Sequence, residues 1–146
     1  MATESKIVEE LRSKVEKYLR QKQLSFEVKS GGTLWVRQGS TVVVVAPMQW
    51  GENEQTLVKL SAPVSLEIKK ISPELTRFLA EKNNQLLFGK FSLDVNNNTV
   101  WYEHVLLGDD LDAEELFTSL AAIAITADQH DEQVSKMSGG KRFADL

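Results

Sequence analysis

The feature that most constrains the fold is a long amphipathic helix predicted between Asp112 and Gly139. Asp112 is a suitable N-cap, Glu115 follows three positions later, and Gly139–Gly140 after Lys136 ends the helix. Apolar residues recur between these signals with the helical period, which places them on one face: Leu116, Leu120, Ile123, Ala127, Val134 and Met137. Such a stripe packs on a flat apolar surface, and the preceding segments predict a sheet.

Two other helices are predicted earlier in the chain. From about Ser5 to Gln23, apolar residues such as Ile7, Leu11 and Val15 recur at gaps of four. A shorter helix begins at Ser72-Pro73-Glu74, which combines an N-cap, a proline at the first helical position and an acid near the positive dipole end. This second helix is expected to end near Asn83–Asn84.

The remaining segments show the alternation and the β-branched residues of strands. Val42 to Val45 suits a strand that is buried on both faces, and Pro63 indicates a sheet edge or a bend. In the run after the second helix, Leu87 and Phe91 are expected to share a face with Leu93 and Val95. The predicted strands are Leu24–Val28, Thr33–Arg37, Thr41–Met48, one or two within Gln55–Ile68, Leu86–Val95 and Thr99–Leu107.

The element order is therefore helix, strands, helix, two strands, helix. Short connections, including the turn cluster Asn96–Asn98, make the sheet largely antiparallel. We predict an α+β sandwich with three helices gathered on that sheet. A chain of 146 residues without a repeat or a linker is expected to form one domain over 1–146.

Composition excludes several classes of function. With 17 basic and 21 acidic residues and no basic stripe, the surface should not attract nucleic acid. The sequence has no cysteine, so it has neither disulfides, thiolate metal sites nor a cysteine nucleophile. No segment reads as a signal peptide or a membrane span, and we expect a cytoplasmic protein without membrane contact.

Candidate catalytic residues are scarce. His104 is expected to point away from its neighbour Glu103 in a strand, which indicates a structural histidine, and His130 falls on the last helix. We predict no catalytic residue, no cofactor and no resident metal, and therefore not an enzyme. The carboxylates of Asp128, Asp131 and Glu132 share a helix face that could hold a divalent cation weakly, although a solvated surface is the simpler explanation.

Met48 and Trp50 are the best candidates for a partner-binding surface. Trp50 lies in the polar stretch Gln49–Gln55, where a core residue is unexpected. Large aromatic side chains and flexible thioethers are frequent in recognition surfaces. Folding of Trp50 back over a sheet edge is the alternative explanation.

The element order, the acidity and the final third of the chain resemble the YbjN family, which has the type III secretion chaperone-like fold. The resemblance is carried by the segment Val105-Leu-Leu-Gly-Asp-Asp-Leu-Asp-Ala-Glu-Glu-Leu116 and continues through Ala122, Ala127–Asp128 and Gly139–Gly140. It implies a peptide-binding chaperone or a sensory-transduction regulator, and a fold in which dimerisation is common. It implies no catalytic residue.

We therefore expect a non-catalytic protein- or peptide-binding module with an unidentified protein client. The alternative is a sensory-transduction regulator that senses a small ligand or a divalent ion. We also expect a homodimer, because the chain has more apolar strand sequence than three helices would cover. Against a dimer, Pro63 and the charged residues Lys69, Lys70, Lys90 and Asp94 could protect the sheet without a partner.

Overall fold

The computed structural model describes residues 5–52 and 54–146. Residues 1–4, and residue 53 in the polar stretch Gln49–Gln55, lie outside the described part. The described residues form three α-helices and six β-strands in the predicted order, with short 3-10 turns at Ser30–Gly32 and Phe143–Asp145. The elements are α1 Lys6–Gln21, β1 Phe26–Val28, β2 Leu34–Gln38, β3 Thr41–Trp50, β4 Gln55–Ser65, α2 Pro73–Gln85, β5 Lys90–Asp94, β6 Thr99–Leu107 and α3 Ala113–Ser138.

The strands form one antiparallel sheet in the order β1-β2-β3-β4-β6-β5. Every pairing between neighbouring strands is antiparallel. The predicted α+β class and the antiparallel sheet are therefore confirmed. The crossover from β4 to β5 through α2 places β6 in the interior of the sheet, between β4 and β5.

Each helix begins where its capping residue predicts. The side-chain oxygens of Ser5, Ser72 and Asp112 accept hydrogen bonds from backbone N–H groups three residues later, which satisfies one of the free donors of each first turn. At the other end of α3, Gly139 adopts a left-handed conformation with φ of 70°, as the predicted glycine stop requires.

The core lies between the helices and one face of the sheet. Leu34, Val45 and Leu60 are fully buried and adjacent to one another across β2, β3 and β4. The α3 stripe predicted from the sequence packs into the same cluster, which also receives Leu11, Val15 and Leu19 of α1 and Leu75 and Leu79 of α2. The three α-helices thus cover the same face, and no α-helix in the described part of the chain lies on the opposite face.

Of the two alternatives predicted for Pro63, a sheet edge or a bend, the structure shows the bend. Pro63 does not lie at an edge, because β4 is an interior strand between β3 and β6. It lies at a bend: the pairing register with β6 shifts between Pro63 and Ser65, so that Pro63 faces Trp101 and Ser65 faces Val100. A bulge is one of the places where an interior strand tolerates a residue without an N–H group.

The predicted strand Leu86–Val95 was too long. Helix α2 continues to Gln85, and β5 covers only Lys90–Asp94. Leu87 is completely exposed and Val95 is exposed, so these residues do not share the buried face of Phe91. The apolar residues before Lys90 have the composition of a strand, but they belong to the connection between α2 and β5, which passes the edge of the sheet.

The Val42–Val45 run is buried on both faces for most of its length, as predicted. Val42, Val43 and Val45 are buried and Val44 is half-buried. Val43 and Val45 face the helices. Val42 faces the other way and is covered by the chain that follows α3, where the 3-10 turn Phe143–Asp145 contacts β3 and β4.

Candidate functional site on the open face of the sheet

We call the sheet face opposite the helices the open face. Side chains along β6 alternate between the helix-covered face and the open face. Val100 and Tyr102 are fully buried under the helices. Trp101, Val105 and Leu107 lie on the open face, and the latter two are exposed. Large apolar side chains on a sheet face without a covering layer are unusual in a monomeric protein and mark contact surfaces.

Four exposed apolar side chains are grouped at one end of the open face, while Trp35, 38% exposed, lies nearer the other end. Met48, Leu57 and Leu107 are cross-strand neighbours on β3, β4 and β6. The next row consists of Ala46, Lys59 and Val105, and Trp50 follows Met48 by two residues on the same side of β3. We call Met48, Trp50, Leu57, Val105 and Leu107 the apolar patch. The exposed fractions of Met48, Trp50, Val105 and Leu107 are 37, 44, 46 and 66%.

The structure places the sequence candidates Met48 and Trp50 together in this patch. Trp50 is not in a loop, because β3 continues to Trp50 and pairs it with Gln55. Their partner-binding role stays a prediction. The sequence analysis missed Leu57, Val105 and Leu107, although the alternation along Thr99–Leu107 was a signal that Val105 and Leu107 share a face.

The strands that carry the patch are longer than their outer neighbours. Strand β2 pairs with β3 only as far as Val45, and β5 pairs with β6 only as far as Glu103. Among the described residues, the segments Ala46–Trp50 and His104–Leu107 therefore have a strand partner on one side only. Their outer backbone groups provide two free strand edges beside the apolar patch.

A charged group separates the apolar patch from the rest of the open face. Glu103 is buried, and its carboxylate lies 3.3 Å from Nζ of Lys59 and 3.8 Å from Nζ of Lys90. A buried carboxylate requires such partners. The two ammonium groups and the apolar side chains of Met48, Leu57 and Val105 line one shallow groove of about 530 Å³.

The groove ends where Gly89 crosses the sheet edge. Gly89 has φ of +90°, and a Cβ atom built there would lie 2.7 Å from the Tyr102 ring and 2.9 Å from Ile123. Only glycine fits this close passage. Next to it, the phenol of Tyr102 donates a hydrogen bond to the Phe88 carbonyl. This bond holds the segment between α2 and β5 against the helix-covered face of β6.

All three tryptophans of the chain lie on the open face. Trp50 belongs to the apolar patch. Trp35 pairs with Val44, and Trp101 pairs with Pro63 and Ser92; both side chains are directed away from the helices because their strand neighbours are core residues. Tryptophan is the residue most enriched in the energetic centres of protein interfaces.

The histidines occupy structural surroundings. The His104 ring lies 4.1 Å from the Phe88 ring, and partial burial lowers the pKa of His104 below its ordinary value. Nδ1 of His130 lies 2.8 Å from the Thr126 carbonyl oxygen, and its ring is edge-on to Phe91. His104 faces the side of the sheet opposite to Glu103, as the alternation predicts.

The carboxylates of Asp128 and Glu132 each interact with a different neighbouring side chain, and Asp131 lies near Asp128. Asp128 accepts a hydrogen bond from Ser40 at 3.4 Å, and Glu132 forms an ion pair with Lys136 at 3.3 Å. Burial, and after it the charge of Asp128, raise the pKa of Asp131. Within the described residues, no three His, Cys, Asp or Glu side chains are grouped as metal ligands would be.

Within residues 5–52 and 54–146, none of the helices combines the length and the apolarity needed to cross a membrane.

The sheet thus has helices on one face, an apolar patch on the other and two free strand edges beside that patch, and such features are used in the recognition of polypeptide segments. The comparison of the chain with known families agrees. Over residues 9–146 it matches the family TY-Chap1, the T3SS (YopN, CesT) and YbjN peptide-binding chaperones. The chain belongs to this family, and the predicted resemblance is confirmed.

The fold is also found among solved structures. The chain is similar to a chain in the crystal structure of the ExsC–ExsE complex, with a TM-score of 0.61 and 19% identity. The match covers 85% of this chain and 96% of that chain. At this identity the likeness shows the fold alone. No match was found among curated protein sequences.

Proposed function

We propose that this protein is a non-catalytic chaperone that binds an extended segment of a protein client along its open face. Membership of a peptide-binding chaperone family supports the class of function. The observation that carries the location is the row Met48, Leu57 and Leu107, three large apolar side chains that lie side by side without a covering layer.

The apolar patch would supply most of the binding energy. Each large side chain that is fully removed from water contributes about 1.5–3 kcal/mol. An extended client segment suits this patch. Its side chains would alternate, so that every second one would contact the open face and the others would point to solvent.

The free edge of β6 would fix the direction and the register of the bound client strand. A client strand that pairs with His104–Leu107 would continue the line of β5, which ends its pairing at Glu103. Its backbone would form the hydrogen bonds that β6 lacks on this side, and its side chains would reach Val105 and Leu107. The ammonium groups of Lys59 and Lys90 would border this strand.

Site-specific photo-crosslinking tests the proposal. We expect p-benzoylphenylalanine in place of Leu107 to trap a polypeptide in the native cell. The matched control carries the same group in place of Leu87, which is more exposed than Leu107, at 100% against 66%, and lies away from the open face. It should trap at most a second copy of this chain. A second variant, Leu57→Asp, should abolish trapping at position 107 because it places a charge in the centre of the patch.

The outcome that contradicts the proposal is equally clear. If positions 107 and 87 trap the same polypeptides, or if Leu57→Asp leaves the trapped set unchanged, the apolar patch is not the client surface.

We also propose that the protein is a homodimer. The support is the apolar surface outside the open face, which a second copy would bury twice in a two-fold contact. The exposed apolar residues there are Ile71, Leu87, Val95 and Ile125. Light scattering over a dilution series is the test: a mass near the single-chain 16.4 kDa at every micromolar concentration contradicts the dimer.

The proposal includes a cytoplasmic location and a single functional domain over residues 1–146. Cell fractionation tests the location.

The alternative function is a sensory-transduction regulator that binds a small ligand or a divalent ion. It predicts that millimolar calcium or magnesium would raise the melting temperature of the protein, since a ligand specific to the native state stabilises that state.

A further inference from the structure

A second apolar region of the open face is covered by the chain itself. After α3, Lys141 and Leu66 form an antiparallel bridge through two N–H···O bonds of 2.8 Å. The chain then lies against β3 and β4 as a 3-10 turn. We call residues 141–146 the closing segment. Under it, Val42 and Pro63 are buried on a face where no helix packs.

Phe143 is the aromatic group of the closing segment. Its half-buried ring lies 5.7 Å from the guanidinium carbon of Arg37, a distance that permits a cation–π contact. Arg37 is paired with Val42 on the neighbouring strand and is two residues from Trp35. Phe143 therefore occupies an aromatic and cationic site at the end of the open face opposite to the apolar patch.

Phe143 does not fill this site. A half-open cavity of about 380 Å³ remains, and its walls include Trp35, Arg37, Val42 and Phe143 itself. A site that is larger than its resident side chain forfeits contact energy, and a segment with a better fit can replace the resident one.

The charges of this region are also incompletely matched. Glu27 feels the charge of Arg37 but forms its ion pair with Lys29, at 2.8 Å. Asp145 of the closing segment is bound in a two-pronged pair by Arg142, at 2.8 and 2.9 Å. In the part of the chain that the structure describes, no carboxylate lies within ion-pair distance of Arg37.

We infer that the region formed by Trp35, Arg37 and Val42 is a second client site, and that the closing segment is its exchangeable occupant. The client segment carries an aromatic side chain, which replaces Phe143, and a nearby carboxylate, which pairs with Arg37. This inference rests on the proposed function, because displacement of Phe143 matters only when a client lies along the open face.

The exchange requires only local opening. The backbone bridge to Leu66 and the hydrogen bonds that the Ser138 carbonyl accepts from Lys69 and Lys70 hold the start of the segment. Beyond them, Phe143 contacts Arg37 on the sheet. Arg142 pairs with Asp145 within the segment and also feels the charges of Asp131 and Glu132 on α3. Segments with few buried apolar contacts open at low free-energy cost.

The test uses the full-length chain and a peptide with the segment's own sequence, acetyl-Lys-Arg-Phe-Ala-Asp-Leu-amide, as the probe. In the variant Phe143→Ala the resident ring is absent. We expect this variant to bind the peptide at least about tenfold more tightly than the wild type, in which only the opened fraction is competent. Peptide binding should change the NMR chemical shifts of the Trp35 indole N–H and the Val42 methyl groups in labelled protein.

The matched control is Leu146→Ala, which changes an exposed residue of the same segment and should bind the peptide as weakly as the wild type. A peptide in which alanine replaces phenylalanine should cause no shift at Trp35. Arg37→Gln, combined with Phe143→Ala, should weaken peptide binding. If Phe143→Ala does not fold, Phe143→Leu takes its place and should bind the peptide more tightly than the wild type.

Equal peptide affinity of wild type and Phe143→Ala overturns the inference, and so does the lack of any shift at Trp35 at millimolar peptide. A dimer that dissociates on Phe143→Ala substitution also overturns it, because the site then receives a second copy. Crosslinking at Leu107 is independent of these measurements. If a client is trapped there but the peptide does not bind, only this inference fails; peptide binding without any trapped client would contradict the proposed function.

Discussion

The carboxylate of Glu103 lies 3.3 Å from the ammonium group of Lys59, on the open face, although Glu103 is only 7% exposed. Lys90 approaches the same carboxylate from the other side, at 3.8 Å. The three side chains lie in adjacent strands and form the boundary of the apolar patch.

This relationship predicts a measurable contribution to stability. Glu103→Gln should lower the free energy of unfolding by about 1 kcal/mol, a modest loss because both lysines are partly solvated. The loss should decrease as salt is added. The matched control, Glu81→Gln, removes the exposed pair with Arg77 and should change stability by less than about 0.5 kcal/mol. Denaturant unfolding measures both variants, and equal effects would contradict the role of burial.

Two buried threonines should respond oppositely to the same substitution. The hydroxyl of Thr41 has no hydrogen-bond partner among the described residues, whereas that of Thr56 donates to Asp109 at 2.9 Å. Thr41→Val should therefore raise the free energy of unfolding by up to about 1 kcal/mol, and Thr56→Val should lower it by about 1–2 kcal/mol. Thermal melting of the two variants is the measurement. Destabilisation by Thr41→Val would show that water or another group satisfies its hydroxyl.

The connection before β5 depends on Gly89. Gly89→Ala should lower the free energy of unfolding by about 3 kcal/mol, because the new Cβ would meet the Tyr102 ring and the backbone would keep a positive φ. Gly39→Ala is the control: it also has a positive φ, of 59°, but nothing lies within 4 Å of its added Cβ. Its cost should be about 1 kcal/mol. Equal losses would contradict the close passage at Gly89.

Stability should also depend on His104 as the pH falls. Burial lowers the pKa of His104 in the folded protein, so the folded state binds this proton less well than the unfolded state does. The contribution of neutral His104 is complete above about pH 6.5 and is lost as the pH falls below that value. Compared with His104→Gln, the wild type should lose more of its melting temperature between pH 7.5 and 5. Parallel profiles of the two proteins would exclude this contribution.

The helix ends and one strand were predictable because their signals are local. Ser5, Ser72 and Asp112 cap helices within three residues of themselves, and Thr99–Leu107 was assigned with its observed bounds. The pairing of β4 with β6 was not predictable, since these strands are separated by α2 and β5. That pairing decides that Pro63 is interior and that Leu57 meets Leu107.

The errors near Trp50 and Leu87 have a similar origin. Gln49 and Trp50 look like a loop by composition, but pairing with Gln55 and Thr56 extends β3 through them. Leu86–Phe88 looks like a strand by composition, yet the chain there crosses the sheet edge through Gly89. In both segments the pairing of distant strands overrides the secondary structure that the local composition favours. The candidate surface lies beside these two segments.

The position of Trp35, Trp50 and Trp101 on one face has a practical consequence. Indole emission responds to changes in the polarity around the ring, and the helical side of the molecule contributes no indole at all. The natural fluorescence of the chain is therefore an optical signal of events on a single surface. Because Trp50 is at one end and Trp35 near the other, a series of single Trp→Phe variants could resolve in time which end of that surface an incoming polypeptide reaches first.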